Sequence, residues 1–251
     1  MATFKAYIKK EYIESIRQFK YIILAVGIIG FAILDPIMLK ILPKLLENQL
    51  PQDLSSLMIF TPKSVVNNYI KDLCQIGTLV VIFTLCNILS EEKVSEKFVF
   101  PYSKGSSPAG IVLAKCIYYA IMITLFIFIG FITVYYYGGI LFKGERVDLI
   151  DIFKSAFLMS IYFFFIITLL TFLSSIIKKG AISGFLTLLI IFLLNCFNRV
   201  QSIGKFLPNK LIQNANLFTL NDTAQTITFA ILYSTAFIIF TIMKMSKTEV
   251  I

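Results

Sequence analysis

Six apolar runs, each about the length of a bilayer crossing, leave this chain few ways to fold. They lie at about 21–42, 69–90, 109–137, 151–176, 181–197 and 223–243. A helix needs roughly 17–25 mostly apolar residues to cross the hydrocarbon core, and all six runs meet that length. The predicted class is an all-α integral membrane protein with six transmembrane helices. One transmembrane domain then occupies 1–251, because six spans and short loops leave no room for a second folded unit. Composition agrees. Hydrophobic residues make up 58% of the chain and charged residues 15%, against about 45–50% and about 25% in a soluble domain.

Residues 1–20 are too charged to span. Phe4, Tyr7, Ile8, Tyr12, Ile16 and Phe19 recur at helical spacing, with Lys5, Lys9, Lys10, Glu14 and Arg17 on the other side. This pattern predicts an N-terminal interfacial amphipathic helix. It does not read as a signal peptide, since a long apolar run follows with no small-residue cleavage site. Within the first run, Asp35-Pro36 predicts a break, with Asp35 capping a helix that restarts at Pro36. Thr61-Pro62 marks another helix start, and that helix is expected to reach about Ser90.

The chemistry is narrow. Histidine is absent, which removes the commonest general base and metal ligand. Cys74, Cys86, Cys116 and Cys196 fall in or beside apolar runs without metal-ligand spacing. No G-x-x-x-x-G-K-[ST] phosphate loop and no G-x-S-x-G elbow occurs. No catalytic residue, no metal site and no cofactor bound by this chain are expected. The balance of 23 basic against 14 acidic residues gives net charge +9. These charges cluster at the edges of the apolar runs, as anchors to membrane lipids do, so nucleic acid is not an expected partner. Basic residues are only slightly more numerous on the side of the N-terminus. The dense cluster beside the first run places both termini in the cytoplasm.

The order of local motifs resembles the membrane subunits of ATP-binding-cassette (ABC) exporters of the type-2 permease class, over nearly the whole chain. The carriers are Lys10-Glu11-x-x-Glu14-x-x-Arg17, the Pro-containing first span followed by Leu42-Pro43-Lys44-Leu45-Leu46, and Tyr69 to Gly77 with Gln75-x-Gly77. An acidic loop follows with Glu91, Glu92 and Glu96, then Phe98, Pro101-Tyr102-Ser103-Lys104 and, later, Lys115. Phe206-Leu207-Pro208 stands before the sixth run. Two positions depart from the family: Val94-Ser95 replaces Gly-Thr, and Lys104 replaces Arg.

The resemblance implies a permease domain in a bacterial plasma membrane. Residues 91–107 would form a cytoplasmic coupling helix seated on a separate cytosolic ABC ATPase, which binds the ATP and Mg. Glu91, Glu92, Glu96, Phe98, Pro101, Ser103 and Lys104 would carry that contact. Lys10, Glu11, Glu14 and Arg17 would add a second one. Residues 198–222 would be an extracellular re-entrant segment. A second permease chain, identical or paralogous, would complete a path for a hydrophobic or amphipathic substrate such as a peptide, antimicrobial, drug or lipid. Gln75, Thr78, Asn87 and Asn195 are candidates to line that path. The alternative is a non-transporting immunity or sensor protein that binds a toxin or antibiotic at the outer surface. An intramembrane enzyme is a third class, disfavoured by the missing histidines.

Overall fold

The computed structural model describes residues 2–46, 60–144, 147–197, 204, 206–220 and 223–247. Among them, six helices are long and apolar enough to cross a membrane: Lys20–Pro43, Pro62–Val94, Pro108–Leu141, Leu149–Ile176, Gly180–Phe197 and Ala224–Ser246. They are called here the first to sixth spans. The chain is an all-α, multi-pass membrane protein. The helix Ala2–Arg17 precedes the spans. Most of the loop expected after the first span, and parts of 198–222, lie outside the described residues.

Local chemistry starts the spans where it should. Thr61 and Ser64 form a reciprocal capping box: Ser64 N donates to Thr61 Oγ1 at 3.2 Å, and Thr61 N to Ser64 Oγ at 2.9 Å. Pro62 then occupies the first turn, where its missing N–H costs nothing. Ser107 caps the third span by accepting from Gly110 N at 3.2 Å, again followed by a proline.

The fourth span is the axis of the bundle. In its most apolar stretch 72% of residues are buried, against 28% in the fifth span and 22% in the sixth. It packs against the second, third, fifth and sixth spans and the short helix Lys210–Leu217. Its buried hydroxyls find acceptors without water. Ser160 Oγ donates to Ala156 O, Thr168 Oγ1 to Phe165 O and Thr171 Oγ1 to Ile167 O, one route by which hydroxyls are satisfied inside a helix. Ser155 Oγ reaches out of the helix to Ala215 O at 2.7 Å and ties Lys210–Leu217 to the axis.

The first two spans cross closely. Each contains a π-helical turn, Val26–Gly30 and Leu73–Gly77, and the two turns touch. Gly27 permits the approach, since a Cβ there would lie 2.5 Å from Val80 Cγ1. Tyr69, fully buried, donates to Ile28 O in the first of these turns at 3.2 Å.

The expected break at Asp35-Pro36 is corrected. Helix continues from Phe31 to Leu46 through both Pro36 and Pro43. A membrane helix tolerates such a proline when neighbouring elements cover the lost backbone bond. Asp35 is therefore no cap. Its carboxyl is buried against Asp72 of the second span.

Candidate functional site

The second span is interrupted at 86–89 before the short helix Ser90–Val94. Broken backbone at this depth needs partners from the protein. Ser174 of the fourth span supplies them. Its Oγ accepts from Leu89 N at 3.1 Å and Ser90 N at 3.0 Å. Cys86 O accepts from Ser183 Oγ at 3.0 Å. Gly180 packs directly on Asn87, so the fifth span also braces the break. The loop that follows is thus fixed to the core at its root.

Its far side is fixed by charge. The N-terminal helix turns Tyr7, Glu11 and Ser15, spaced by four, towards the protein. Glu11 is 1% exposed and Lys115 of the third span 2%. Lys115 Nζ lies 2.6 Å from Glu11 Oε1 and 3.1 Å from Glu92 Oε1. Tyr119 donates to Glu11 Oε2 at 3.0 Å. Lys10 pairs with Glu92, and also lies 3.4 Å from Glu14. Glu92 so joins three elements: its own loop, the N-terminal helix and the third span. Glu11, Glu14 and Glu92 bring carboxylate oxygens together as a divalent cation would require. The ammonium groups of Lys10 and Lys115 already stand among those oxygens.

Burial opposes the charge of Glu11, but Lys115, together with Lys10 and the Tyr119 hydroxyl, outweighs burial and holds the carboxyl below its ordinary value. For Lys10, burial acts against the charge, and Glu92 with Glu11 and Glu14 outweighs it, so that ammonium is raised. A depressed carboxyl contributes stability above its unfolded value, near pH 4.3, and loses it as pH falls through the folded value. Acidification below about pH 4 is therefore expected to loosen the N-terminal helix first. Protease sensitivity within residues 2–17 should rise there while the spans stay protected. Sensitivity that is flat across that range would contradict the assignment.

The residues singled out from the sequence separate into two groups. Glu11, Glu92 and Phe98 are buried. They hold the loop to the bundle and present no surface. Lys10 and Glu14 are half-buried within the network, and Pro101 is half-buried beside it. Arg17, Glu91, Glu96, Ser103 and Lys104 face outward. Glu91 lies 3.9 Å from Lys97, and Lys104 sits 4.4 Å from the centroid of the Phe100 ring. Phe100, 66% exposed, is the most prominent apolar group on the loop. Phe98 stacks on Tyr102 instead. Between the N-terminal helix and the loop lies a cavity of about 690 Å³, lined by Lys9, Ile13, Glu14, Arg17 and Lys97 among others.

The proposed path residues do not converge. Thr78 is buried in the chain's own interior. Gln75 and Asn87 are exposed on the second span. Asn195 is exposed near the opposite end of the bundle, where it accepts from Asn209 Nδ2 at 2.7 Å. Sequence reasoning missed Tyr119, Ser174 and Ser183. The only local signal for Tyr119 is its position one turn after Lys115.

No protein-family description matches the chain, and no curated protein matches it at significance.

Proposed function

We propose that this chain is the membrane-spanning permease subunit of an ATP-driven exporter of the ABC type-2 class. In this reading a separate cytosolic ATPase binds the ATP and Mg and docks on the loop 91–107 and the N-terminal helix. A second permease chain pairs with this one, and both termini lie in the cytoplasm of a bacterial cell. One observation carries the reading. A short loop with outward Glu91, Glu96, Phe100 and Lys104 is wired through buried Glu92 to the third span and the N-terminal helix, and its root is hydrogen-bonded to Ser174 of the fourth span. Force applied to that loop has a stiff route into the bundle. A surface loop with no mechanical role would need no such anchoring. The substrate class follows from the lipid-like character of the second and fifth spans. Leu79, Phe83, Phe185 and Phe192 are all exposed there, which suits a hydrophobic or amphipathic cargo.

The test is Phe100→Ala with Glu91→Gln, two outward residues whose loss leaves the anchoring intact. The variant should insert normally, lose co-purification with the partner ATPase and lose at least about tenfold in stimulated ATP turnover, equivalent to about 1.4 kcal/mol of docking energy. Unchanged turnover and transport would remove the docking assignment.

The immunity or sensor reading has one observation in its favour. At the end opposite the N-terminal helix, a cavity of about 570 Å³ is lined by Lys63, Asp148, Asp151 and Phe218. Protection of cells that persists when every candidate ATPase is deleted would favour that reading.

A further inference from the structure

We infer that Asp35 and Asp72 form a shared-proton site, in which a single proton held between two carboxyls closes the seam between the first and second spans. Asp35 is 6% exposed, and its Oδ2 has no hydrogen-bond partner among the described residues. Yet that carboxyl lies in hydrogen-bonding contact with Asp72. Two ionised carboxylates are both acceptors, so their contact lacks a donor. The missing element is one hydrogen.

Among the described residues the surroundings offer no substitute for it. Neither carboxylate forms an ion pair with Lys or Arg among the described residues. Asn68 Nδ2 donates to Asp72 Oδ2 at 3.2 Å, which satisfies one oxygen and neutralises nothing. From the second span Tyr69 also faces Asp35, but its hydroxyl is already donated to Ile28 O. The third span packs against the first two and brings no Lys, Arg, Asp or Glu over 116–142. Tyr135, Tyr136 and Tyr137 are its titratable groups towards that end. Lys40 and Lys71 are exposed on their own helices.

Like charges in contact repel, the more so where one of them, Asp35, is buried. Binding of the proton draws the two spans together at this level. Its release sets two negative charges against each other beside the touching π-helical turns, and the seam opens. The site is a proton-operated latch, and it stands whether or not the chain works with an ATPase.

The experiment uses the full chain in nanodiscs of zwitterionic lipid, with infrared spectra taken at neutral pH. The wild type should show the C=O band of one protonated carboxylic acid. Asp35→Asn or Asp72→Asn supplies an amide N–H in place of the shared hydrogen, so the band should disappear in each single variant. Thermal stability should fall as the wild type is made alkaline and stay level in both variants. A wild type without the band at neutral pH, or a band that survives in both variants, would overturn the proposal. If a variant fails to insert, the wild-type band and its loss with the alkaline fall in stability remain decisive.

Discussion

Lys115→Met should lower stability by about 3–5 kcal/mol, the cost of removing one partner from a buried ion network. The effect is large because Glu11 and Glu92 share this one ammonium in the interior, at 2.6 and 3.1 Å. Without it, two buried carboxylates face each other with only the half-exposed Lys10 between them. Besides Glu11, the N-terminal helix buries only Tyr7 and Ser15, so it should detach first. Thermal unfolding in detergent and protease cleavage within residues 2–17 would both report it. A triple variant, Lys115→Met with Glu11→Gln and Glu92→Gln, should recover much of the loss, because no unpaired charge is left inside. A single variant as stable as the wild type would show that the network contributes nothing. A triple variant worse than the single one would show that the geometry, and not the charge, is what matters.

Gly130→Ala is expected to cost about 1–3 kcal/mol by overpacking. A Cβ at this position would stand 2.1 Å from Tyr69 Oη and 3.0 Å from Cζ. Tyr69 cannot step aside cheaply. It is fully buried, edge-on to Phe131 at 5.3 Å between centroids, and bonded to Ile28 O. The third span would be pushed away from the crossing of the first two. Tyr69→Phe removes the clashing oxygen at the cost of one hydrogen bond, about 1 kcal/mol. The double variant should therefore be more stable than the sum of the two single changes implies. Strict additivity in melting experiments would place the strain elsewhere.

The spans were legible because lipid imposes a length and polarity that few other environments demand. The site was only partly legible. Spacing by three and four identified the N-terminal helix, but a polar stripe can face water or another charge with equal ease. Tyr12, Ile13 and Ile16 are exposed on this helix while Glu11 is buried. The choice was settled by Lys115 and Tyr119, more than a hundred positions along the chain. No local pattern contains that distance. Asp35 misled for a related reason. An aspartate before proline has the signature of a cap, and only the second span, arriving from another part of the sequence, gives it a different partner. Ser174 and Ser183 left no trace because serine in an apolar run is ordinary glue between helices.

The two π-helical turns carry one further consequence. Such a turn holds one residue more than the α-helical turn it replaces. Removing that extra residue from Val26–Gly30 would let the turn close as ordinary α-helix and leave the helix on either side in register. A residue lost from the regular helix Phe31–Leu46 has no wide turn to absorb it and would rotate everything after it by about 100°. The same holds for the regular helix on either side of Leu73–Gly77. Length is therefore fixed in the regular stretches and forgiving at these two turns, and a lineage of such proteins should accept single-residue deletions there while keeping the counts around them constant.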